Sequence, residues 1–196
     1  MNDMRTKVWS KLKYKKPKDW LIELNRIQKE IIPKVADERA RKLRTNRLKW
    51  IRESRQAAIL TYGMEQFTGR VINFALDEDD HDFIARFIED DVDTYVPVQL
   101  KELVPEDTNP TQTLDNLFDG LHHYSNQSDF TVGIYLSRNV VLDIEKIRLQ
   151  GTNFKEVWLF GACTSDLKKW FILGDIQKEP QYFEFDYPVE KEIPVK

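Results

Sequence analysis

The stretch RVINFALDEDDHDFIARFIEDDVDTYVPVQLKELV, residues 70–104, decides the fold. It contains three runs rich in β-branched and aromatic residues, RVINFAL, DFIARFIED and TYVPVQLKELV, which are separated by the acidic segments DEDDH and DDVD. Runs of this composition joined by short turns are typical of neighbouring strands. The stretch therefore predicts an antiparallel meander of three strands.

Helical patterns flank this meander. Apolar residues spaced by three or four predict a helix over 18–32, which Pro33 ends. A second helical pattern runs from about Val35 to Phe67, and Gly69 supplies its stop signal. After the meander, Asn109 and Pro110 are expected to start a short helix whose apolar stripe is Leu114, Leu117, Phe118 and Leu121.

Four more apolar runs follow, and each predicts a strand: FTVGIYLS, EVWLFGA, KWFILGDI and QYFEFDY. Several are apolar enough to be buried on both faces of a sheet. The order of helices, three strands, one helix and further strands predicts an α/β (α+β) fold, a mixed sheet with flanking helices.

The composition of the chain argues against membrane-spanning, disulfide-bonded and multi-cysteine zinc proteins. The chain has 196 residues, of which 41% are hydrophobic, and its mean hydropathy is −0.57. No apolar run approaches the roughly 20 residues that cross a bilayer, and the charged start lacks an apolar signal core, so we expect a cytoplasmic protein without a membrane span.

The single cysteine, Cys163, excludes an internal disulfide and a multi-cysteine zinc site and is expected to be buried. Glycine-rich nucleotide loops and a serine nucleophile elbow are missing from the sequence.

Charge is distributed unevenly along the chain. Residues 1–56 hold 18 Lys or Arg against 7 Asp or Glu, a balance of +11, whereas the remainder holds 12 against 26, a balance of −14. Such an asymmetry indicates a basic arm able to meet an anionic partner, although a solvated basic helix would show the same composition. The arginines expected to contact phosphates are Arg41, Arg44, Arg47, Arg52 and Arg55.

One cluster within the meander has a clear chemical use. Gln99 and Lys101 lie two apart on the third strand, so their side chains share a face, and Asp82 opens the preceding antiparallel strand. Mg²⁺ takes oxygen ligands from one or two carboxylates, so Asp82 is expected to bind it together with the Gln99 side-chain oxygen and a main-chain carbonyl of the third strand. Lys101 would orient the attacking water and balance the charge that develops on phosphate. The cluster predicts metal-assisted phosphodiester hydrolysis.

These residues resemble the PD-(D/E)xK nuclease superfamily, and the variant Gln99-Leu100-Lys101 is similar to the QxK form of Mrr-type restriction endonucleases. The resemblance covers about residues 53–137 and implies a restriction-endonuclease-like αβββαβ core, Mg²⁺ (or Mn²⁺) as cofactor and DNA cleavage. It makes Asp82 the principal metal ligand, Gln99 the second ligand, Lys101 the catalytic lysine and Glu65 the helical carboxylate. The expected domains are a basic helical N-terminal extension, 1–52, and a nuclease-like α/β domain, 53–196.

Two departures from the family pattern keep another function open. His81 rather than proline precedes Asp82, and glutamine at position 99 supplies one carboxylate fewer. The alternative is a catalytically inactive nuclease-fold module that binds nucleic acid or protein, which the acidic body also favours because it repels DNA. A homodimer formed through the N-terminal helices is a third hypothesis.

Overall fold

The computed structural model describes residues 3–36, 48–77, 80–121, 130–143, 147 and 154–190. Its helices are α1 (Asp3–Trp9), α2 (Pro17–Glu30), α3 (Lys49–Thr68) and α4 (Leu114–Leu121), with a 3₁₀ turn at Ile32–Lys34. Its strands are β1 (Asn73–Leu76), β2 (Phe83–Glu89), β3 (Val92–Leu103), β4 (Thr131–Leu136), β5 (Glu156–Ala162), β6 (Lys169–Gly174) and β7 (Gln181–Asp186). Each predicted strand is therefore present.

The seven strands form one mixed sheet in the order in which they occur along the chain. Strands β1, β2 and β3 pair antiparallel, which confirms the predicted meander. Strand β4 pairs parallel with β3, and β5 parallel with β4, while β6 and β7 return to antiparallel pairing. A parallel pair needs a crossover connection, and α4 lies in the one between β3 and β4. The prediction of a mixed sheet with flanking helices is confirmed.

Helix α3 packs on one face of the sheet through unusually small residues. A Cβ atom on Gly63 would lie 2.7 Å from Phe185 Cε1 and 2.8 Å from Ile172 Cγ2, so only glycine lets the helix approach β6 and β7 this closely. The helix ends at Gly69, whose φ of 69° is left-handed and whose N–H donates to the Glu65 carbonyl at 2.9 Å. The predicted stop signal at Gly69 is confirmed.

Helix α4 covers part of the opposite face but begins later than predicted. Thr113 Oγ1 accepts a hydrogen bond from the Asn116 N–H at 3.1 Å, and Asn116 Oδ1 accepts one from the Thr113 hydroxyl at 2.6 Å. This reciprocal capping arrangement starts the helix at Leu114. The expected cap at Asn109 was wrong, because its Oδ1 accepts from the Thr111 N–H and closes a turn instead.

The N-terminal residues pack on the body of the sheet. Lys15 and Phe74 exchange backbone hydrogen bonds of 2.7 and 3.0 Å at the edge of β1. Leu21 of α2 is fully buried, and its carbonyl accepts a hydrogen bond from the Tyr187 hydroxyl at 3.1 Å. Because α3 begins at Lys49, the predicted domain boundary at 52/53 falls inside a continuous helix.

Three further expectations can be compared with the described residues. Cys163 is exposed rather than buried, because it follows the end of β5 in a loop that leaves the core. Of the second predicted helix, residues 37–47 lie outside the described part of the chain, and these include Arg41, Arg44 and Arg47. Among the helices that are described, none is long and apolar enough to cross a membrane.

Candidate active site

The register of the meander brings Asp82 and Gln99 together. Phe83 pairs with Val98, so Asp82 and Gln99, the residues immediately beyond them, stand opposite each other. Gln99 Nε2 donates a hydrogen bond to Asp82 Oδ2, and the Leu100 N–H donates to the same oxygen at 2.6 Å. Within the described residues, both hydrogen bonds to this carboxylate end on Oδ2. The strands therefore hold the Asp82 carboxylate in one orientation.

The first turns of α3 add a cation and a second carboxylate to this cluster. Lys49 Nζ lies 3.0 Å from Glu53 Oε1, and the two residues line an open cleft of about 350 Å³ together with Asp82 and Gln99. The other residues that line this cleft are Leu76, Asp77, Asp80 and His81. Neither Lys49 nor Glu53 was predicted as a site residue.

The pKa of the Asp82 carboxyl is raised above its usual value, and the neighbouring charges contribute with both signs. Burial raises the pKa of its carboxyl, and the Glu53 carboxylate raises it further. The hydrogen bond from the Leu100 N–H lowers the pKa, as do the ammonium groups of Lys49 and Lys101. Lys101, on the same strand face as Gln99, is thus within electrostatic reach of Asp82, as its spacing predicts. The cluster combines two carboxylates, two ammonium groups and one amide.

The acidic segment before Asp82 is packed against α1. His81 Nδ1 lies 3.6 Å from Asp77 Oδ2, and both side chains are at most 10% exposed. The rings of Trp9 and His81 form a T-shaped pair with their centroids 6.2 Å apart, and Arg5 lies 3.9 Å from Asp80. Helix α1 therefore contacts two of the residues that line the cleft, His81 and Asp80.

Glu65, the predicted helical carboxylate, lies elsewhere. Its Oε2 accepts a hydrogen bond from the Ile72 N–H at 3.2 Å, where the chain turns from α3 into β1. Glu65 follows Glu53 by 12 residues along α3, a distance of about 18 Å at 1.5 Å per residue. The structure does not bring Glu65 to Asp82, and the carboxylate of α3 that lines the cleft is Glu53.

The chain topology explains why the first turns of α3 reach the site. Helix α3 ends where β1 begins, and β1 ends where β2 begins at the acidic segment. A helix that runs back over this strand pair must place its N-terminal half near the start of β2. The i, i+4 pair of Lys49 and Glu53 is the signal in the sequence that could have found this position.

The two described arginines of the predicted phosphate-binding set make contacts within the protein. Arg52 Nε lies 3.5 Å from Glu102 Oε2, and Arg55 Nη1 donates to Gln28 Oε1 at 2.7 Å. Glu102 also accepts from Gln56 Nε2 and from the Ser137 hydroxyl, each at 3.1 Å, and its side chain is only 13% exposed. The contacts of Glu102 hold the first turns of α3 on β3, on the face opposite Lys101, and Arg55 joins α3 to α2.

No family model matches the chain, and comparison with curated proteins and with solved structures gives no match either.

Proposed function

We propose that this protein is a Mg²⁺-dependent nuclease that hydrolyses phosphodiester bonds of DNA, with a restriction-endonuclease-like core. The observation that carries the proposal is the cluster of Asp82, Gln99 and Lys101 on one face of two antiparallel strands, with Glu53 supplied by the preceding helix. The order of α3, β1–β3, α4 and β4, with β4 parallel to β3, supports the αβββαβ arrangement.

The donor atoms in the cleft fit a hard divalent cation. In the described part of the chain, no group of three or more His, Cys, Asp or Glu could hold a metal by itself. Mg²⁺ does not need such a cage, because it is commonly bound by one or two carboxylates and completes its shell with waters and phosphate oxygens. Asp82 through Oδ1, Glu53, and Gln99 through its amide oxygen after rotation about the last side-chain torsion would hold it. Mn²⁺ suits the same oxygen ligands.

The residues of the chain then have distinct roles. The bound ion would polarise the phosphate and lower the pKa of a water. Lys101 would orient the attacking water and offset the negative charge that grows on the phosphate. The Leu100 N–H keeps the Asp82 carboxylate fixed, and Lys49 keeps the Glu53 carboxylate turned toward the cleft. Arg41, Arg44 and Arg47 remain the residues proposed to contact DNA phosphates.

One specific observation favours the second candidate function, a catalytically inactive module that binds nucleic acid or protein. Gln99 donates through Nε2 to Asp82, so in this orientation the amide presents a donor rather than a metal-binding oxygen to the carboxylate. A site that keeps this bond does not turn the oxygens of Gln99 and Asp82 toward the same ion. The module would then bind without cleaving.

Cleavage assays test the enzyme directly. Supercoiled plasmid, linear duplex and single-stranded DNA are incubated with the purified protein in Mg²⁺, Mn²⁺ or EDTA. We expect cleavage with either metal, none in EDTA, and a loss of at least about 100-fold in Lys101→Ala, the scale typical for removal of one charge-stabilising donor. Mg²⁺-dependent cleavage that persists in pure Lys101→Ala protein would overturn the assignment.

A matched pair of helix variants tests which glutamate serves the site. Glu53→Gln should lose cleavage, because it removes a carboxylate from the cleft. Glu65→Gln should keep it, because the amide oxygen can still accept the hydrogen bond from the Ile72 N–H. If Glu65→Gln loses cleavage and Glu53→Gln keeps it, Glu65 rather than Glu53 is the helical carboxylate of the site.

Binding measurements separate the two candidate functions. Affinity for duplex DNA is measured in EDTA across a salt series, and the slope reports the number of phosphate contacts. Salt-dependent binding in a protein that never cleaves would favour the module. A protein that neither binds nor cleaves would point to a protein partner.

A further inference from the structure

A lysine-rich segment joins α1 to α2. Between Met4 and Lys18 the chain carries seven cations and no Asp or Glu, namely Arg5, Lys7, Lys11, Lys13, Lys15, Lys16 and Lys18. Residues 11–18, the lysine loop, hold five of these cations. Like charges placed this closely repel one another, which is unfavourable unless an anion lies among them. The lysine loop therefore favours an anionic partner.

Contacts with the sheet and with α1 hold the lysine loop in place. Lys15 exchanges two backbone hydrogen bonds with Phe74 of β1, and the Tyr14 hydroxyl donates to the Trp9 carbonyl at 3.1 Å. Leu12 and Tyr14 pack against the buried cluster that contains Trp9. Because these side chains turn inward, the exposed positions of the loop all carry lysine: Lys11, Lys13, Lys16 and Lys18.

These four lysines form no ion pair within the part of the chain that the structure describes. Exposed lysines elsewhere face an acid, as Lys168 faces Asp166 at 3.1 Å and Lys178 faces Asp175 at 3.2 Å. Since no carboxylate of the described residues holds the ammonium groups of the loop, they can contact an anion from outside the chain.

The lysine loop lies next to the candidate active site. Helix α1 leads into it and contacts Asp80 and His81 of the cleft through Arg5 and Trp9. Lys11 follows Trp9 by two residues, so its Cα lies at most about 7 Å from the Cα of Trp9. DNA whose phosphate reaches the cleft would therefore pass close to the loop.

We propose that the lysine loop binds the phosphate backbone of DNA beside the cleft, through the ammonium groups of its four exposed lysines. The choice of DNA as the anion rests on the proposed function, since phosphate contacts on either side of the reacting bond position the nucleic acid. An anionic membrane also attracts lysine, but segments that lie in a membrane surface insert apolar side chains, and Leu12 and Tyr14 of the loop face the protein. Ammonium groups contact phosphates without reading bases, so this binding should not depend on DNA sequence.

The salt dependence of DNA binding tests the loop. The affinity of the full-length protein for a fluorescein-labelled duplex is measured in EDTA, which prevents metal-dependent cleavage, over a series of KCl concentrations. Each phosphate contact contributes about 0.9 to the slope of log K against the logarithm of the salt concentration. The combined variant Lys11→Gln/Lys13→Gln/Lys16→Gln/Lys18→Gln should therefore lose about 3–4 from this slope, whereas Arg at the same four positions should keep the wild-type slope.

A charge-matched variant separates the loop from the net charge of the protein. Lys155→Gln/Lys168→Gln/Lys169→Gln/Lys178→Gln removes the same number of charges around β5, β6 and β7, and its slope should stay within about one contact of the wild-type value. Thermal unfolding followed by circular dichroism checks that both variants fold. Equal losses of slope in the two variants would assign the effect to net charge and overturn the proposal.

Binding in EDTA needs no catalysis, so the loop and the nuclease can fail separately. A protein that binds DNA through the loop and never cleaves it would refute the nuclease and support the loop proposal. A protein that cleaves DNA while the loop variant with Gln keeps the wild-type slope would overturn the loop proposal alone. The loop proposal is also overturned if the wild type binds no DNA, or if its lysines bind phosphatidylglycerol vesicles but not DNA.

Discussion

Replacing Gly63 by alanine tests how α3 is held on the sheet, and two physical effects predict opposite signs. Glycine within a helix costs about 1 kcal/mol relative to alanine, so propensity alone predicts that Gly63→Ala stabilises the protein. The added Cβ, however, would lie 2.7 Å from Phe185 Cε1 and 2.8 Å from Ile172 Cγ2. Carbon atoms pack at about 3.5–4.0 Å, so the helix and the sheet must separate by up to about 1 Å.

The packing effect should win at this position. Ile172 is fully buried and Phe185 is 6% exposed, so neither side chain has free space to move into. Overpacking of a core costs about 1–3 kcal/mol, which leaves a net destabilisation of up to about 2 kcal/mol after the gain in propensity. The same shift would draw Lys49 and Glu53 away from Asp82, so the Mg²⁺-dependent cleavage proposed above should also be weaker.

Urea unfolding measures the free energy of unfolding of this variant, and Gly120→Ala is the matched control. Gly120 lies in α4, and a Cβ there would meet nothing within 4 Å, so Gly120→Ala should stabilise by about 0.5–1 kcal/mol. If Gly63→Ala stabilises the protein as much as Gly120→Ala does, the close approach of α3 to β6 and β7 is refuted.

Three further changes have predicted outcomes. The raised pKa of Asp82 means that the folded state holds this proton to higher pH than the unfolded state does, so the contribution of Asp82 to stability falls as pH rises through the folded pKa. In EDTA, the Tm of Asp82→Asn relative to wild type should therefore rise over that pH range. A difference in Tm that stays constant with pH would contradict the raised pKa. Thr113→Ala removes the cap of α4 and should cost about 1 kcal/mol in urea unfolding, whereas Thr108→Ala should cost less. Glu102→Ala leaves Arg52 and Gln56 without their acceptor and should cost about 2–3 kcal/mol, a loss that Glu102→Gln should partly recover.

The sequence was most informative where local rules determine geometry. The meander was predictable because its strands carry β-forming residues and its turns carry acids, and a short hairpin fixes the register that sets Asp82 opposite Gln99. The start of α4 could also have been predicted from the sequence, because Thr113 and Asn116 have the spacing of a reciprocal cap. That signal was missed in favour of Asn109, which has the preferred residue type without the helical hydrogen bond.

Contacts between distant elements could not be predicted in the same way. Glu102 alternates away from Lys101 and carries no local sign of burial, and its partners Gln56 and Ser137 come from a helix 46 residues before it and a loop 35 residues after it. Glu65 was chosen as the helical acid from its place near the end of α3. Which end of the helix reaches Asp82 depends on the connection through β1, and hydrophobic periodicity says nothing about that connection.

The inward contacts of Arg52 change what the charge asymmetry of the chain means for DNA binding. The balance of +11 over residues 1–56 suggests a basic face that meets phosphates, yet Arg52 is engaged with a carboxylate that is 13% exposed. Removing one partner of a buried charge pair leaves the other charge uncompensated. Arg52→Ala should therefore lower the free energy of unfolding more than it lowers the affinity for DNA. Comparing the salt slope of DNA binding for Arg52→Ala and Arg44→Ala tests this: the slope should fall for Arg44→Ala and stay unchanged for Arg52→Ala, and a fall of about one contact in both would show that Arg52 also binds phosphate.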